Sequence, residues 1–130
     1  MERTREGRGL HLRRIRLHLA RSKEHPQGSA RHGYEFVAPL DADGHIDPEA
    51  WKVARDRCRV HRFWGEEQES GHLVHRPGGS WAFRYDVDGD DDEEAGLKFG
   101  AHAFEIGEYV SLRGADGEIH TFRVVSVDTV

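Results

Sequence analysis

The sequence predicts one mainly β domain, a small barrel or two packed antiparallel sheets, with a single α-helix at about residues 48–58 covering an open edge or end. Three observations carry this prediction. Near the C-terminus, alternating Val110 and Leu112, an Asp116-Gly117 turn and the β-branched run from Val124 to Val127 describe a twisted antiparallel ribbon. Near the N-terminus, Ile15, Leu17 and Leu19 alternate strictly with Arg16, His18 and Ala20, the period of a half-buried strand. Only one segment carries helix-start signals, and a chain of 130 residues has room for one domain.

Residues 1–13 read as a flexible basic leader, since an Arg- and Gly-rich opening buries too little to offset its ordering entropy. The domain proper is assigned to residues 14–130. After the first strand, Ser22 to Gly33, with Pro26, Gly28 and Gly33 among polar residues, reads as a loop. Tyr34, Phe36 and Ala38 form the next strand, which Pro39 stops before an Asp41 to Gly44 turn. Asp47 then supplies an N-cap oxygen, Pro48 the first helical position, and Ile46 with Trp51 a hydrophobic staple. Trp51, Ala54 and Cys58 give that helix its apolar stripe, ending near Arg59. Strands follow over Val60 to Trp64, Leu73 to Arg76, Trp81 to Tyr85, Gly96 to Phe104 and the final ribbon, about eight in all.

The net charge of −5 conceals an asymmetry: residues 1–23 hold eight cations against two carboxylates, so the remainder carries −11. A basic arm on an acidic body either meets an external polyanion or folds against the body's own carboxylates. The acidic body makes nucleic acid the less favoured partner. Neither a membrane-length apolar run nor a secretory apolar core is present, and Cys58 is the lone cysteine, so the expected location is the cytoplasm with a reduced thiol.

Four features invite a chemical reading. Asp86, Asp88, Asp90 and Asp92 imitate the first half of a calcium loop, but Asp91 stands where glycine is required and Leu97 where the bidentate glutamate belongs. Ten histidines with Cys58 raise the question of a divalent metal, the candidates being Cys58, His61, His72, His75 and His120. His72 and His75 are three apart on a strand and therefore face opposite ways. Cys58 with His61 would form a nucleophile pair, against which stands the apolar stripe that packs the thiol. The stripe Trp81, Phe83 and Tyr85 suits a barrel core or a stacking platform with Arg84 beside it. Arg13, Arg14, Arg16, Trp81 and Arg84 are accordingly the partner-binding candidates.

Gly33 to Leu40 with Gly44 to Asp47, then His72 to Trp81, then Gly107 to Val110, resemble a set of small uncharacterised bacterial proteins. That resemblance runs from Arg14 to the C-terminus and implies no activity, ligand or catalytic residue. The final ribbon is similar to strand pairs of SH3-like small barrels, an architecture that hosts many functions. No catalytic residue or cofactor is therefore assigned. The leading expectation is a non-enzymatic protein-binding or adaptor module. The alternatives are a histidine-based metal protein or small metalloenzyme, and an RNA binder using the basic arm.

Overall fold

The computed structural model describes residues 11–86, 93–114 and 116–130. Eight strands close into an antiparallel barrel in strict sequence order: β1 (Leu12–Leu19), β2 (Ser29–Pro39), β3 (Arg59–Trp64), β4 (Glu67–His75), β5 (Trp81–Tyr85), β6 (Glu93–Leu97), β7 (Tyr109–Arg113) and β8 (Ile119–Thr129). The first strand pairs with the last, Ile15 opposite Val127 and His18 opposite Arg123. The barrel is thus closed, with β1 paired to both β2 and β8. Helix α1 (Pro48–Ala54) lies between β2 and β3.

Alternation decides which residues fill the barrel. Ile15, Leu17, Leu19, Tyr34, Phe36, Ala38, Val60, Leu73, Trp81, Phe83, Val110, Leu112, Phe122 and Val124 are all buried. Between them, Arg14, Arg59, Arg84, Arg113 and Arg123 point to the exposed side. The outer wall is therefore charged, and no helix among the described residues is long and apolar enough to cross a membrane.

The two ends differ. At one end Phe36 packs against Phe83, Phe99 and Phe104, and Trp51 of α1 meets Trp81 edge-on at 5.6 Å. Trp51 Nε1 also donates to the Leu73 carbonyl at 3.0 Å, which anchors the helix across this end as a plug. Asp47 caps α1 through the amides of Glu49 and Ala50, as the sequence predicts.

Several boundaries depart from expectation. The α-helix stops at Ala54, followed by one 3-10 turn (Arg55–Arg57), because Cys58 must straighten to enter β3. β1 begins at Leu12, inside the expected leader, where Leu12 is buried opposite Pro39. β2 begins at Ser29, inside the expected loop: Gly33 sits in the strand because a Cβ there would lie 1.9 Å from the Leu17 carbonyl oxygen. The strand expected over Gly96 to Phe104 ends at Leu97, and Phe99 folds back over Gly96. Trp81, entertained as a surface contact, is 2% exposed and belongs to the core.

Candidate functional site

Opposite the plug, the barrel opens into a cavity of about 350 Å³ lined in part by Tyr34, Arg62, Trp64, Glu94 and His120. Its floor follows from strand register. Tyr34 on β2 stands opposite Arg62 on β3, and Glu94 on β6 opposite Phe83 on β5, so all four occupy inward positions. A carboxylate and a guanidinium have been carried into the barrel by the same alternation that buries Phe83 and Val60.

The carboxylate is well provided for. Both the Tyr34 and Tyr85 hydroxyls donate to Glu94 Oε1, at 2.8 and 2.6 Å. Burial pushes both phenols well above their usual pKa, reinforced by the Glu94 charge and, for Tyr85, by Tyr34. They are protonated donors at neutral pH. The guanidinium is less well served: Arg62 Nε lies 3.5 Å from Glu94 Oε2 and Nη1 3.9 Å from Glu69 Oε1. Nε makes no hydrogen bond although it is buried. Burial opposes the charge of Arg62, but Glu94 and the two phenols more than offset it, so its pKa is raised.

Above this floor stands an aromatic and imidazole wall. The Arg62 guanidinium lies 4.7 Å from the Trp64 ring centre, and Trp64 also meets His32 at 4.8 Å and His120 at 5.4 Å. His32 in turn stacks obliquely on His25 at 4.8 Å. Burial, and then the neighbouring His25, Arg31 and Arg62, lower the His32 pKa, so its ring is neutral at physiological pH. Glu24, Asp116 and Glu118 form an acidic outer rim.

The metal candidates are dispersed. Cys58 is fully buried, with its thiol 3.5 Å from the Ala54 carbonyl oxygen and its pKa pushed up to about 11 by burial. His61 lies on the outer wall near Phe63. His72 faces outward between Arg59 and Asp86, whereas His75 stacks on Trp81 at 4.0 Å, so the two face opposite ways as expected. His120 is in the mouth. Among the described residues no three His, Cys, Asp or Glu side chains gather as a metal site.

The partner-binding candidates are similarly spread. Arg13 donates to the Leu12 carbonyl, Arg14 is exposed, and Arg16 contacts Glu35 and His18 while lying 4.5 Å over Phe63. Arg84 and Arg76 both pair with Glu93. Of the acidic run, residues 87–92 lie outside the described set, but its ends are engaged internally: Asp86 by Arg59, Glu93 by two arginines and Glu94 by two tyrosines. Comparison with known proteins yields no match to a family model, a curated protein or a solved structure.

Tyr34, Arg62, Trp64 and Glu94 escaped the sequence reading as site residues. The available signal was parity. Val60, Arg62 and Trp64 share one face of β3, so a charge is committed to the interior as soon as Val60 is assigned to the core.

Proposed function

We propose that this protein is a non-enzymatic binding module that takes a small ligand in the mouth of its barrel. The observation that carries the reading is the Tyr34–Glu94–Tyr85 and Arg62 cluster buried at the floor of a cavity of about 350 Å³. Eight-stranded barrels are the size at which the interior is either filled by side chains or holds one small molecule. Ligand sites are typically concave, partly aromatic and equipped with a few oriented polar groups.

The ligand best matched is planar and neutral or zwitterionic. Its acceptor faces Arg62, whose donors exceed its carboxylate contacts, and its donor faces the rim carboxylates Glu24, Asp116 and Glu118. Trp64 supplies the flat wall. Protein docking, the expectation from sequence, has less to rest on. The large exposed apolar residues Val53, Ile106, Tyr109 and Ile119 are distributed over α1, the β6–β7 connection, β7 and β8.

The test is protein-observed NMR against a set of free amino acids and planar heterocycles. Binding should shift the amides of Arg62, Trp64, Glu94 and Leu112 saturably, and Trp64→Leu or Arg62→Met should weaken it at least about tenfold. A set in which nothing moves these amides at about 1 mM, or hits that both variants leave unchanged, would overturn the reading.

A further inference from the structure

A second hollow, outside the barrel and unrelated to the mouth, has the opposite electrostatic character. It measures about 520 Å³ and lies where the β1–β2 connection folds over β7 and β8. Arg21 and Arg123 both line it, with His18, Gln27, Ser29 and Tyr109, and no carboxylate among the described residues does so. On a chain of net charge −5, a hollow walled by two guanidinium groups and no acid calls for an explanation.

Its frame is firmly placed. His18 pairs with Arg123 across β1 and β8, and Arg123 with Tyr109 across β8 and β7, so three neighbouring strands present these side chains in one row. The loop closing the hollow is tied down by Ala20 N donating to the Thr121 carbonyl and Gly28 N to the His25 carbonyl. Gly28 has φ +76°, and a Cβ there would stand 2.8 Å from the Leu19 carbonyl oxygen, so this close turn depends on glycine. His18 accepts a hydrogen bond at Nε2 from Arg16 Nε at 2.9 Å, which makes Nδ1 its protonated nitrogen. Burial, and then Arg16, lower its pKa, so it is a neutral N–H donor rather than a third cation.

Two planar guanidinium forks, an imidazole N–H, a carboxamide and a hydroxyl offer more donors than the two oxygens of a carboxylate accept. They match the three terminal oxygens and near-double charge of a phosphate monoester. The hollow is larger than a phosphate group, and the remaining space borders Tyr109, which is 55% exposed, and Val125. We infer that this groove on β1, β7 and β8 is a binding site for a small phosphate monoester, with Arg21 and Arg123 holding the phosphate and Tyr109 flanking the organic group. Arg21 also borders a separate hollow lined by Glu24 and Glu118, where Glu118 pairs with His120 at 3.5 Å.

The experiment titrates full-length protein with phenyl phosphate, inorganic phosphate, benzoate and sodium chloride at matched ionic strength, following backbone amides. Phenyl phosphate should shift Ala20, Gly28, Ser29 and Ala30 saturably with Kd of about 1 mM or tighter. Inorganic phosphate should move the same amides more weakly, and benzoate and chloride should not. Arg21→Gln with Arg123→Gln should weaken phenyl phosphate at least about tenfold while the remaining spectrum stays folded, and Tyr109→Ala should remove its advantage over inorganic phosphate. Equal shifts with chloride, or a titration that the double variant leaves unchanged, would overturn the assignment.

Discussion

The helix end and the mouth of this barrel are built from the same eight strands, yet one is packed with aromatic rings and the other holds a carboxylate, a guanidinium and two phenols. At the helix end the packing is aromatic, and the Phe36, Phe83, Phe99 and Phe104 rings meet at centroid distances of 5.1 to 6.2 Å, with His75 stacked on Trp81 beside them. At the mouth the inward positions of β3 and β6 are Arg62 and Glu94, and the cavity is left between them and the rim. The contrast separates two tasks. Apolar burial at the plug supplies stability, whereas the mouth carries costly polar groups inside, Glu94 satisfied by two hydroxyls and Arg62 held beside it by charge with its Nε unbonded.

That division is broken most severely at the plug. Phe83→Ala should cost about 3 to 5 kcal/mol, read as a lowered urea midpoint, because Phe83 is fully buried among the rings of Tyr34, Phe36 and Phe99. Glu94→Ala should cost less, about 2 to 3 kcal/mol, by stranding Arg62 and two hydroxyls, while Glu94→Gln should recover much of the loss. If Glu94→Ala proved the more damaging change, the mouth would have to be counted as the structural centre.

Alkali titrates both ends at once. The Cys58 thiol, beside the plug, has its pKa raised from 9.0 to about 11, and Tyr34 and Tyr85 at the mouth are raised above 10. For an acid whose folded pKa exceeds its unfolded one, the unfolded chain loses its proton first as pH rises. Stability is therefore full below about pH 9 and declines above it, Cys58 contributing a loss of about 2 kcal/mol by about pH 10.5. The urea midpoint should fall over that range, and Cys58→Ala should make the fall shallower. The same burial predicts that native Cys58 resists thiol reagents until the protein unfolds. Smallest of all, Asp47→Ala should cost about 1 kcal/mol by removing the cap of the covering helix, leaving amide shifts at the mouth unchanged.

Elements with strong local signals were legible in the chain. The Ile15, Leu17, Leu19 alternation, the Asp47-Pro48 helix start and the Asp116-Gly117 hairpin each depend on neighbours a few residues away, and each is where the sequence places it. Gly33 misled because glycine serves both turns and close approaches, and here the deciding atom, the Leu17 carbonyl oxygen, belongs to another strand. The scattered histidines suggested a shared metal, but whether distant residues converge depends on register across the barrel, which no local pattern contains.

The fold class and the sign of each strand's buried face were thus written into the amino-acid order, because period-2 patterning and turn chemistry act over a few residues. Closure of β1 on β8, the meeting of Tyr34, Arg62, Tyr85 and Glu94, and the alignment of His18, Arg123 and Tyr109 were decided only in three dimensions. These contacts join segments as far apart as Arg13 and Thr129, and they exist only once strand number and register bring those segments together.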